Sequence, residues 1–131
     1  MSPHREGEYS GLIGFRDGTN AGFTFMRSGW TGDKFQYSTE LLDLKGFSTD
    51  RRSIILDSVA RIDFLEMTAA ENREVAADHD LREVRKCNVS FRDGGKRDRI
   101  FISVRGMTWR GSRESGQVAD ASIRRIVFSE K

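Results

Sequence analysis

Phe15-Arg16-Asp17-Gly18 returns letter for letter as Phe91-Arg92-Asp93-Gly94, and much of the chain downstream of the first copy recurs downstream of the second. After the first copy come Trp30-Thr31-Gly32 and Arg61-Ile62-Asp63-Phe64-Leu65-Glu66. After the second come Trp109-Arg110-Gly111 and Arg125-Ile126-Val127-Phe128-Ser129-Glu130. The shared order predicts a duplicated β unit: a polar tail over 1–8, a first repeat over 9–66, a helical connector over 67–80 and a second repeat over 81–131.

Asp-Gly between alternating apolar runs is a hairpin signal, because glycine takes a positive φ at little cost. In the first copy Tyr9, Gly11, Ile13 and Phe15 share one strand face. Placing Phe23 and Phe25 on that face needs an odd loop, Arg16-Asp17-Gly18, with Gly18 left-handed. In the second copy, Ile100, Ile102 and Val104 share a face with Phe91 only across an even loop, so Asp93-Gly94 is expected to form a two-residue turn. Phe35 and Tyr37 alternate in a short strand, and Leu42, Leu44 and Phe47 suggest another. Further strands are expected over 53–56, 61–65, 87–91, around Gln117-Val118, and over 124–129, with single helical turns at Asp57-Ser58-Val59 and Ala121-Ser122-Ile123. Thr68-Ala69-Ala70-Glu71 has capping-box spacing and opens a short helix running to about His79.

This succession of strand, Asp-Gly hairpin, strand, turn, strand, helical turn and last strand resembles small SH3-like and Sm-like barrels. The resemblance implies two tandem barrel units packed together around the connector. A single β-sandwich is the alternative.

The chain has 131 residues, 37% of them apolar and 32% charged, with nine phenylalanines to fill a core. No apolar stretch approaches membrane-spanning length, which excludes an integral helical membrane protein. The polar start carries no secretory signal, and the single Cys87 cannot form an internal disulfide. A cytoplasmic address is the resulting expectation. The net charge of +2 conceals a division: residues 1–81 hold 9 Lys/Arg against 14 Asp/Glu (−5), and residues 82–131 hold 13 against 6 (+7).

Catalytic patterns are weak throughout. Asp78-His79-Asp80 combines suitable ligand types, but consecutive residues do not converge easily on one ion, and His4 sits in the polar tail. Cys87 has no histidine near it in sequence, so it reads as a small core residue. Asp63 with Glu66, or Asp17 with Asp57, carry no sign of the burial that acid–base work requires. The glycines at 11, 14, 18 and 22 are not followed by the Lys-Ser/Thr of a phosphate loop. Neither enzyme activity nor a cofactor nor a metal is expected.

Trp30 and Trp109 are candidate interface anchors, although their matching positions favour a core role. Arg61 and Arg125, with Glu66 and Glu130, read as surface strand residues. Two binding functions remain. The first is an interaction or assembly module that joins a protein partner, or its own copies, through barrel surfaces and strand edges. The second is a binder of nucleic acid or a nucleotide through a basic face of the second repeat. That face comprises Arg97, Arg99, Phe101 and Arg105 alternating along one strand, with Arg110, Arg124 and Arg125 nearby.

Overall fold

The computed structural model describes residues 7–28, 32–41, 52–78 and 80–129. Among these, eleven strands and one α-helix run in chain order: β1 (Gly11–Phe15), β2 (Asn20–Phe23), β3 (Phe25–Ser28), β4 (Lys34–Ser38), β5 (Ser53–Ile55), β6 (Val59–Leu65), α1 (Ala69–Asp78), β7 (Val84–Phe91), β8 (Lys96–Ser103), β9 (Met107–Arg110), β10 (Ser115–Gln117) and β11 (Ile123–Phe128). The protein is mainly β. Eight strands form one antiparallel sheet in the order β2-β1-β11-β6-β7-β8-β4-β5, and a second sheet has the order β10-β9-β3. The expected strand over Leu42, Leu44 and Phe47 lies outside the described residues.

The tandem-barrel expectation is replaced by something more entangled. No closed barrel forms among the described residues, and the two repeats do not keep to themselves. Strand β1 pairs with β11, the last strand of the other repeat, and β7 pairs with β6. The two exchanges match residue by residue: Ile13 lies opposite Ile126 as Val89 lies opposite Ile62. Each ladder carries a bulge at the same place, with Arg124 the extra residue in one and Ala60 in the other. At the centre β11 pairs with β6, and the equivalent residues Ile126 and Ile62 face each other there. The six strands β2-β1-β11-β6-β7-β8 are thus related by a local twofold axis through that pair. One apolar cluster fills the space between the sheets, from Ile13, Ile62, Val89 and Ile126 of the large sheet to Met26, Met107 and Trp109 of the small one.

Both Arg-Asp-Gly hairpins close in the same way. Phe15 N–H donates to the Thr19 carbonyl and Gly18 N–H to the Phe15 carbonyl; Phe91 with Gly95 and Gly94 with Phe91 repeat both bonds. Gly18 and Gly94 have φ of 89° and 93°, and the Asp17 and Asp93 carboxylates accept from the backbone N–H two residues on. The even loop expected at Asp93-Gly94 is therefore wrong. The parity difference is absorbed further along, where the β7–β8 register shifts between Cys87 and Val89. Arg99 sits in this bulge at φ 53°, its N–H donating to Asn88 Oδ1 at 2.8 Å. An amide side chain standing in for a missing ladder partner is what permits the extra residue.

Phe25 also departs from expectation. The chain bends at Thr24 to leave the large sheet for the small one, so Met26 turns inward and Phe25 lies outside, beneath the Arg110 guanidinium at 4.6 Å. Helix α1 starts as its sequence predicts: Thr68 N–H donates to Glu71 Oε1, and Glu71 N–H to Thr68 Oγ1. Its buried Val75 packs on Val84 and Phe101, which covers the outer face of the large sheet over β7 and β8. The same face over β2, β1 and β11 has no such cover among the described residues.

Candidate functional site

On that uncovered face the residues pointing away from the core come from alternate positions of β1, β11 and β6. Leu12 and Val127 are cross-strand partners and remain 51% and 37% exposed. Beside them Asp63 is held between two arginines that occupy equivalent places in the two repeats. Arg61 Nε lies 2.8 Å from its Oδ2 and Arg125 Nε 2.6 Å from its Oδ1. The position equivalent to Asp63 in the second repeat is Val127, so the local symmetry is broken here in charge.

Two concavities flank Arg16 at the end of this face. One, of about 570 Å³, is lined by Arg16, Arg124 and Arg125 with Asn20, Asp63 and Asn88. The other, of about 430 Å³, lies between the start of α1, the turn Leu81–Glu83 and the start of β7, with Arg16, Arg82, Arg85 and Lys86 on its walls. Two of these four cations are committed elsewhere. Arg82 clamps Asp80, whose carboxyl is held down to about 2 by the Arg82 side chain and backbone N–H. Lys86 bonds both Glu71 oxygens at 3.2 Å.

Arg85 differs from its neighbours. It lies on the core-facing side of β7, in line with Cys87 and Val89, and stacks on the Phe64 ring at 4.0 Å. Its Nη1 donates to the carbonyls of Val118 and Asp120, and its Nη2 to that of Ile123. Among the described residues it forms no ion pair with a carboxylate. Burial, and next the charge of Arg16, bring its guanidinium down to about 10. The sequence held a signal for it: continuing the Cys87, Val89, Phe91 alternation backwards puts an arginine on the inward face.

The structure scatters the basic face drawn from sequence. Phe101 does point to the outer face, but it is 6% exposed beneath α1. The bulge at Arg99 breaks the alternation, so Arg97, opposite Val89, stands on the other side of the sheet from Phe101. Arg105 lies 3.8 Å from Glu83, and Arg110 covers Phe25. Only Arg124 and Arg125 come together in one concavity. Trp109 is buried in the core, and Trp30 lies outside the described residues.

Cys87 is fully buried, and that burial drives its thiol far above the ordinary range, away from nucleophilic use. Glu66 stands in solvent 3.6 Å from Arg16, and the Asp17 carboxylate accepts from the Thr19 hydroxyl. No group of three His, Cys, Asp or Glu side chains is placed to hold a metal among the described residues, which do not include His79. Comparison with known protein families, with curated proteins and with solved structures finds no match to this chain.

Proposed function

We propose that this protein is a non-catalytic assembly module that binds further copies of itself through the uncovered half of the large sheet's outer face. The observation that carries the reading is the exposed Leu12–Val127 pair within a rim of Arg61, Arg124 and Arg125. An apolar centre with a charged rim is the anatomy of a protein contact. The face matters more than the strand edges: the end strands β2, β5, β3 and β10 are only three or four residues long, and such short edges are poor templates for pairing.

Charge chooses the partner surface. Two copies meeting through the same face would oppose Arg61, Arg124 and Arg125 to the same residues, whereas an acidic surface elsewhere on a second copy would complement them. The contact is therefore head to tail, and its repetition gives rings or filaments. Native mass spectrometry at low salt and rising concentration tests this, and a regular series of oligomers is expected. Leu12→Asn combined with Val127→Thr removes the apolar centre and should weaken association about tenfold or more. A strictly monomeric protein under these conditions, or a double variant that assembles as the parent does, refutes the reading.

A further inference from the structure

We propose that the concavity of about 430 Å³ beside Arg85 is a binding site for a small organic anion, with its oxyanion head between Arg16 and Arg85 and its apolar body against Leu65, Met67 and Leu81. The site adjoins the association face at Arg16, which lines both concavities.

Its volume is within the range of small-ligand pockets, and its walls combine cationic with apolar side chains. Among the described residues Glu66 is the only acid on them. Arg82 and Lys86 are neutralised by Asp80 and Glu71, which leaves Arg16 and Arg85 to define the field. The ion-pair partner of Arg16 is loose and solvent-exposed, Glu66 at 3.6 Å. Arg85 spends three of its five N–H donors on carbonyl oxygens and keeps two.

The contrast with the matched arginine sharpens the point. Arg92 holds Arg16's place in the other repeat and donates to the carbonyls of Asp57 and Ser129. Both arginines anchor their turns by a backbone bond, Arg16 N–H to Ser122 and Arg92 N–H to Ser58. The Arg16 side chain instead lines a concavity together with Arg85, its own ion pair to Glu66 being long and exposed. Asp120 acts on Arg85 through space but gives its carboxylate to the N–H and hydroxyl of Ser122. Arg16 and Arg85 repel one another, which together with burial lowers the Arg85 pKa; an oxyanion placed between them turns that repulsion into attraction on both sides. Planar guanidinium pairs suit a carboxylate or phosphate head equally, so the head group is fixed by experiment.

The test is titration of the full chain with phenyl phosphate and with benzoate, followed by ¹H–¹⁵N NMR of the arginine Nε–H signals. The Arg16 and Arg85 signals should move with one or both probes and saturate, with affinity falling as salt rises. The probe that binds more tightly names the head group. Inorganic phosphate should bind more weakly than phenyl phosphate, because it leaves the apolar wall empty. Arg16→Gln, at an exposed position that spares the fold, should weaken binding about tenfold or more. Unmoved signals at millimolar probe refute the site, as does binding unchanged in Arg16→Gln. Shifts confined to Arg124 and Arg125 also overturn it, because they place the anion in the neighbouring concavity.

Discussion

Glu71 has three duties: it closes the capping box with Thr68, accepts from Lys86, and thereby ties α1 to β7. Burial alone would raise its pKa, but bonds from the Thr68 N–H, from Lys86 and from the Thr68 hydroxyl outweigh it and leave the carboxyl below its ordinary 4.5. A depressed folded-state value stabilises the fold fully above 4.5, and the contribution is lost as pH falls through the lower folded value. The Tm of the parent should therefore exceed that of Glu71→Gln at pH 7 by about 3 °C, corresponding to about 1 kcal/mol. That gap should close as the carboxyl becomes protonated at acidic pH. A gap independent of pH, measured by thermal denaturation from neutral to strongly acidic buffer, would show that the carboxylate charge plays no part. Arg85 makes a different point at the same scale. Carbonyl dipoles and an aromatic face surround its charge, so its value to the fold lies in hydrogen bonds rather than in an ion pair among the described residues.

Among the elements, the two Arg-Asp-Gly hairpins serve as internal controls for each other. A Cβ at Gly18 or Gly94 meets no atom within 4 Å, so substitution there costs only the left-handed backbone. Gly18→Ala and Gly94→Ala should each lose about 1 kcal/mol, equal within error, in urea denaturation. At Gly11 a Cβ would run into the Val127 carbonyl oxygen across the β1–β11 ladder. Gly11→Ala should therefore cost at least twice as much, and equal losses at all three sites would contradict the close approach of those strands. Elements specified by their own residues were legible in the sequence: the Thr68–Glu71 box, the first hairpin with Gly18, and the inward Cys87 and Val89. The second hairpin was misread because its register depends on Asn88 reaching across to Arg99, an interaction that strand parity cannot express. Phe101, expected on the basic face of the second repeat, lies beneath α1, because its cover, Val75, comes from an element whose position the sequence leaves open. The Arg16–Arg85 pocket was invisible for the same reason: its walls come from four separated segments.

For the whole molecule, neither repeat can complete its share of the large sheet from its own strands. Without β11, β1 would have only β2 beside it; without β6, β7 would have only β8. Fragments 1–66 and 81–131 made separately should each lack a cooperative thermal transition by circular dichroism, since two-stranded ribbons are marginal in water. A cooperative transition in either fragment alone would restore the picture of independent barrels. Duplication was legible as repeated letters, but exchange was not, because tandem and interleaved copies spell the same sequence.

The facing of Ile62 and Ile126 on the local twofold axis also bears on how one chain does the work of two. A chain of half this length, making the same ladders, would have to find its missing strand in a second molecule. Two such molecules joined end to end would make the same ladders within one chain, with the join, α1, lying on one side of the sheet. One joining helix can lie over only one half of a twofold frame, so the join by itself makes the two halves unequal and leaves the other bare.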